Sequence, residues 1–172
     1  MNEDKQGDDM KQIVVTAAVI EKEGRLFMAQ RRPQDSEGGK WEFPGGKIEW
    51  GEEPRQSLCR ELQEELGIRA EVGPLLDVIS EVKGNMHLIL LYFACRIIEG
   101  EPKPIECQAV SWWAPDDIDG LAKPPADQRF WNDYRSRQSL VLSIEKNLIY
   151  NVLKSDIIDI HSVYFDYIVI YI

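Results

Sequence analysis

The chain has 172 residues, a formal charge of −10 at pH 7, and 44% hydrophobic against 29% charged residues. That length supports one domain with a proper core and an appendage. The acidic balance excludes a protein whose main partner is a nucleic-acid backbone, which calls for basic surface. A small phosphorylated ligand stays open, because metal ions and a few local cations can meet its charge. Three cysteines, Cys59, Cys95 and Cys107, leave one unpaired in any intrachain scheme and point to a reducing compartment. Two histidines, His87 and His161, argue against a histidine-rich zinc site. The polar opening "MNEDKQGDDMKQ" is unlike a secretory signal, no stretch reaches transmembrane length, and the cytoplasm is the expected location.

Residues 1–12 read as a flexible lead-in. "IVVTAAVI" (13–20) and "RLFMAQR" (25–31) read as strands joined by a turn at "KEG". "RPQDSEGG" is a loop, and "KWEFPGG" is a shaped segment with an aromatic pair, a proline and two glycines. From Pro54 the period changes: Leu58, Leu62 and Leu66 recur every four residues, with Pro54 suited to the first helical position and Gly67 to the stop. "PLLDVISEV" and "MHLILLYFACRI" read as strands joined by a hairpin at "KGN". "QAVSWWAP" is a short strand, "DDIDGL" a turn or short helix, and "PPADQRFWNDYRSRQ" a rigid loop running into a helix. Composition shifts near residue 139: the last 34 residues hold eight isoleucines and no alanine, which separates a domain at 13–138 from an extension at 139–172 of no legible role. In it, Leu140, Ile144, Leu148 and Val152 suggest an amphipathic helix and "SVYFDYIVIYI" a strand. An apolar end of this kind calls for a covering surface, either the domain itself or a second copy in a homodimer, unless it is a non-native end.

The stretch "GGKIEWGEEPRQSLCRELQEELGI" (45–68) holds six glutamates. Glu61, Glu64 and Glu65 fall at i, i+3 and i+4, so one side of a helix carries all three. A solvated acidic face is the plain reading. Against it, Glu61 and Glu65 have no Lys or Arg three or four positions away in the helix, and Glu64 has only Arg60 in the less favourable order. A cation from outside the helix would resolve the repulsion. Magnesium fits, since it takes carboxylate oxygens, keeps waters and is shared with substrate phosphates. The preceding "FPGGK" adds close backbone approach and a lysine, Lys47.

The stretch resembles the signature of the Nudix hydrolase family. That signature is a glycine, five residues, a glutamate, seven residues, then Arg-Glu-apolar-any-Glu-Glu-any-Gly-apolar. Gly46, Glu52 and "RELQEELGI" (60–68) match it without departure. The likeness extends through "QRR", "WEFPGGKIE" and "PPAD" over about residues 13–135, and is nearest the MutT-type branch, which cleaves nucleoside triphosphates to monophosphate and pyrophosphate. It implies an α/β fold, an α/β/α sandwich around a mixed sheet. It implies magnesium, with manganese as a substitute, carried by Glu61, Glu64, Glu65 and the Gly46 carbonyl, with Glu61 close to the attacking water. Arg60 would hold the glutamates by salt bridges, chiefly with Glu52. Glu106 stands where such chains place a further acidic residue, a ligand or general base, although a loop glutamate is commonly just solvated. Arg31 resembles the strand-end arginine that touches phosphates; otherwise it is an ordinary surface charge.

For the base, "PPAD" places Asp127 where relatives read the base edge. A carboxylate accepts hydrogen bonds only, which suits guanine's ring N–H and amino group or cytosine's amine. The plainer role for Asp127 is a cap on the following helix. Phe27, Tyr92, Trp112, Trp113 and Trp131 supply core aromatics and a stacking platform among them. His87 reads as a structural strand residue, and its strand borders the base pocket in relatives, which makes it a substrate-binding candidate. The expected substrate is a nucleoside triphosphate, an oxidised one such as 8-oxo-dGTP included. The alternative is a cytidine or methylcytidine triphosphate, or another nucleoside diphosphate-linked compound. A nucleotide-sensing module is disfavoured because such modules lose signature carboxylates and all are present. No nucleic-acid polymer and no membrane are expected as partners.

Overall fold

The computed structural model of the chain describes residues 10–154. It divides into two compact units, Met1–Trp131 and Asn132–Ile172. The first holds a mixed sheet built from β1 (Lys11–Lys22), β2 (Arg25–Gln30), β3 (Trp41–Glu42), β4 (Arg69–Lys83), β5 (Met86–Glu99) and β6 (Ala109–Trp113). The helices are α1 (Pro54–Leu66), α2 (Pro115–Asp119) and α3 (Pro125–Lys154), and α3 crosses from the first unit into the second.

The strand order is β3-β2-β1-β5-β4, with β6 also paired to β2. At the centre β1 and β5 run parallel from Lys11↔Met86 to Ile20↔Cys95, while every other named pair is antiparallel. A central parallel pair is covered on both faces, and β1 accordingly carries an unbroken buried run, Thr16–Ile20. Alternation along β5 then sends neighbours to opposite layers. Phe93 joins the cluster of Ala18, Ile20, Phe27, Leu58, Leu62, Leu66 and Ile68 beneath α1. Tyr92 faces the other way and stacks on Phe130 of α3, centroids 3.9 Å apart and rings 2° from parallel. The α/β/α sandwich around a mixed sheet is therefore realised.

α1 begins and ends as its residues dictate. Glu53 is the N-cap, accepting from the amides of Arg55 (2.9 Å) and Gln56 (3.1 Å). At the other end Gly67 takes the left-handed conformation (φ 68°) and donates to Gln63 O. Leu58, Leu62 and Leu66 are fully buried, the stripe read from their spacing.

Two elements differ from expectation. β4 starts at Arg69, ahead of "PLLDVISEV", because register shifts between Val72 and Leu75 and between Leu75 and Asp77 absorb Gly73 and Pro74 on an edge strand. The two helices expected either side of residue 139 are one, α3, since no glycine or proline interrupts residues 126–154. In the second unit Leu140, Val141 and Leu142 are exposed. Residues 1–9 of the lead-in, the expected strand "SVYFDYIVIYI" and His161 lie outside the described residues. Among the described residues no helix is long and apolar enough to cross a membrane.

Leu62 lies at the centre of the α1 stripe with no exposed surface. Leu62→Ala is expected to lower unfolding stability by about 2–5 kcal/mol, read by urea titration, through the cavity it leaves. A loss below about 1 kcal/mol would mean that α1 is not what closes this layer.

Candidate active site

β1 and β2 pair only at Glu21↔Leu26 and Lys22↔Arg25, so most of β1 has a free side. The segment 44–48 lies along it. Ala18 N–H donates to Pro44 O (2.8 Å), Thr16 N–H to Gly46 O (2.8 Å) and Ile48 N–H to Val14 O (3.0 Å). This close lay explains both glycines. A Cβ on Gly45 (φ 152°) would overlap the Thr16 carbonyl, and a Cβ on Gly46 would overlap the Glu61 carboxylate. Glu61 therefore sits in the space that Gly46 leaves empty.

Arg60 is the hub of the site. Its Nε and Nη2 bind Glu52 Oε1 and Oε2, each at 2.9 Å, a two-pronged pair. Its Nη1 reaches Glu61 Oε1 and Glu64 Oε2, both at 2.9 Å. Nη2 also donates to Lys47 O (3.2 Å), which accepts from Ser57 Oγ as well (3.2 Å). The guanidinium, helped by the Glu49 amide, holds Glu52 well below the usual carboxylate range, at about 2. Arg60 thus supplies Glu61 and Glu64 with a counter-ion as well as Glu52, while Glu65 has no part in this hub. One guanidinium spans three carboxylates because its donors fan out in a plane, which counting i±3 and i±4 neighbours does not reveal.

Glu65 is the exception. It follows Leu58 by seven positions and Leu62 by three, on the shoulder of the apolar stripe, and is partly buried there. Burial, then the negative charges of Glu42, Glu61 and Glu106, raise its carboxyl to about 8, with partial relief from the Gly45 amide. Glu106 arrives on the link between β5 and β6: the amides of Ile105 (3.0 Å) and Glu106 (3.3 Å) both donate to Glu65 O. Among the described residues no three His, Cys, Asp or Glu side chains are grouped closely enough to hold a metal, since Arg60 keeps Glu61 and Glu64 on its own side. The donor chemistry nevertheless fits a hard divalent cation: a partly buried carboxyl in the field of Glu42, Glu61 and Glu106, with Glu61 itself seated against a glycine. The Gly46 carbonyl already accepts from Thr16 N and, at 3.4 Å, from Thr16 Oγ1.

A second group gathers around Asp127. α3 starts at Pro125, so Asp127 lies in its first turn and not at its cap, and its Oδ1 accepts from Phe43 N–H across 3.2 Å. Burial, and then Glu42, raise it to about 8. That shift favours the protonated acid, which can donate as well as accept. Glu42 joins the two groups, for its charge acts on Glu65 and Asp127 alike, and burial raises its own pKa. Arg31 pairs with Glu42 through Nη1 (2.7 Å) and with Ser36 O through Nε (2.6 Å). Tyr92 Oη is buried beside Asp127 and gives its carboxyl partial relief, while Trp113 Nε1 is buried without a hydrogen-bond partner among the described residues. Of the other aromatics, Phe27 and Trp112 pack under α1, and Trp131 donates to Asp119 at 2.6 Å.

Lys47 is exposed, and its carbonyl is the acceptor shared by Arg60 and Ser57. His87 is not gathered with these groups. Its Nε2 is 2.9 Å from Ser80 Oγ, and five residues of β5, about 17 Å, separate it from Tyr92. Sequence reading missed Glu42. The glutamate of "WEFPGG" carried a signal, being a charge within an apolar and glycine-rich segment, but only the fold shows what it faces.

The NUDIX domain family matches residues 10–134. The CTP pyrophosphohydrolase of Escherichia coli (strain K12) is 41% identical over 118 residues, covering 69% of this chain and 87% of that protein. The 8-oxo-dGTP diphosphatase of the same bacterium is 34% identical over 120 residues, covering 69% and 93%. The solution structure of the E. coli ORF135 protein superposes with a TM-score of 0.67 at 34% identity, over 76% of this chain and 94% of that one. With its carboxylate helix, glycine cradle and mixed sheet in place, the chain belongs to the Nudix hydrolase family.

Proposed function

We propose that the chain hydrolyses a nucleoside triphosphate to the monophosphate and pyrophosphate. The observation that carries this is the grouping of Glu61 and Glu65 beside the Gly45–Gly46 cradle, where burial and neighbouring carboxylates push Glu65 up to about 8. Glu61, Glu64, Glu65 and the Gly46 carbonyl are the groups that would hold magnesium, or manganese in its place. When bound, that ion neutralises charge on the phosphate oxygens and favours attack by water. Water adds to a phosphorus, the bond to the bridging oxygen breaks, and water's protons pass to the carboxylates and solvent. Glu61, fixed by Gly46 and Arg60, orients the attacking water. Glu52 and Arg60 hold Glu61 and Glu64 in register, and Glu106 adds a carboxylate beside Glu65 as a further ligand. Arg31 and Lys47 face the phosphates.

Two relatives suggest two bases. A protonated Asp127 favours cytosine, because an acid group can accept from the amine and donate to the ring nitrogen together. The same acid can pair with the N–H and carbonyl edge of a guanine, so 8-oxo-dGTP remains the other substrate to be scored.

Glu61→Gln is expected to lower kcat by about 10²–10⁴-fold with magnesium while leaving the circular dichroism spectrum unchanged. Turnover near that of the parent would remove α1 from the chemistry. Scored by monophosphate release, cytosine triphosphates should outrun canonical purine triphosphates; an equal, poor response to cytosine and oxidised-guanine compounds would sink the role given to Asp127. Asp127 also predicts a pH signature of stability. The folded chain keeps this proton up to about 8, whereas the unfolded chain releases it near about 4. The contribution is fully present below pH 4 and is lost as pH rises through 8. Asp127→Asn should flatten that part of the urea stability profile, and an unaltered slope would refute the assignment.

A further inference from the structure

Residues 101–108 run from β5 to β6 as a strap across the C-terminal end of α1. A helix leaves its last carbonyls without partners inside itself. Gly67 and Ile68 amides serve Gln63 and Leu62, and the strap serves the next ones: Lys103 N–H donates to Leu66 O (3.0 Å), with Ile105 and Glu106 both on Glu65 O. At the far side of the strap Arg32 Nη2 donates to Ile105 O at 3.0 Å. Farther on, Gln108 N–H donates to Gln30 O (2.8 Å), two residues before Arg32.

The Ile105 carbonyl and the Glu106 amide belong to one trans peptide, so they point in opposite directions from a single plane. Arg32 holds one edge of that plane and the α1 carbonyl of Glu65 holds the other. Turning the plane, which would re-aim the Glu106 side chain, breaks one bond or the other. We infer that Arg32 is a positioning residue that fixes the direction of Glu106 toward Glu65 and thereby sets the affinity of the site for its divalent cation. This rests on the proposed reading of Glu106 as part of that site. A positively charged side chain on a neutral carbonyl across 73 residues of sequence is a costly way merely to tidy a loop, because the amides already tie the strap down.

The test uses the full chain with Mn2+ alone, titrated by electron paramagnetic resonance without substrate, and amide exchange by NMR. Arg32→Ala should weaken Mn2+ binding about 10-fold, the size expected for a residue that orients a ligand, and speed exchange at the Glu106 amide. Arg32→Lys should restore part of the affinity. Glu106→Gln should weaken binding to a similar extent, and adding Arg32→Ala to it should cost nothing more. Fully additive losses, or parental Mn2+ binding in Arg32→Ala, overturn the inference. Glu61→Gln serves as the control. If it abolishes Mn2+ binding while Arg32→Ala does not weaken it, only the role of Arg32 is lost. If Glu61→Gln also binds as the parent does, the cation site itself is misread and the inference falls with it.

Discussion

Everything at this site depends on one planar cation meeting three carboxylates. Without Arg60, Glu52, Glu61 and Glu64 would face one another over a few ångströms with no counter-charge from the helix. Its fork lets Glu52, on the loop before α1, share a partner with Glu61 and Glu64 on the helix, so the loop and the helix cannot move apart. A lysine, with a single point of charge, could not hold the two-pronged contact to Glu52 and also reach the others. Glu65 escapes the hub and lies in the field of Glu42, Glu61 and Glu106, so the helix is not a closed ion-pair network.

The second constraint is distance of approach. The segment 44–48 replaces a missing neighbour for β1, and it can lie close only because Gly45 and Gly46 have no side chains there. A carboxylate then occupies the vacancy at Gly46. Backbone pairing of the sheet thus fixes the position of a chemical group on a helix, with no side-chain contact between sheet and helix needed at that point.

Much of this was legible in the residues. The four-residue leucine spacing, Pro54 and Gly67 marked α1 because helix periodicity and caps are local properties. The glutamates at 61, 64 and 65 fell on one side for the same reason. Their unequal fates were not legible. Glu64 faces solvent, Glu61 fills a glycine's place, and Glu65 sits at the core's edge, which depends on how α1 is seated on the sheet. Glu42 was invisible as a site residue since its neighbours, Arg31, Glu65 and Asp127, come from elsewhere in the chain. The upward shift of Asp127 likewise comes from burial, which no spacing reveals. The composition shift at residue 139 does not interrupt α3, because helix continuity depends on the absence of breakers and not on which apolar residues are used.

The aromatic packing around Asp127 carries one more implication. Phe130, one turn along α3 from it, is stacked on Tyr92, and the Phe43 ring meets both edge-on, at 5.2 and 6.0 Å, while the Phe43 amide donates to Asp127. The residue proposed to read the base is therefore mounted on the same three rings that dock the first turns of α3. A substitution that re-aims Asp127 must re-seat those rings, and one that loosens the rings must blur the aim of Asp127. If Asp127 reads the base, substrate preference and thermal robustness share a common set of positions, and a change of preferred base would pass through variants with a disturbed interior or need compensating core changes first.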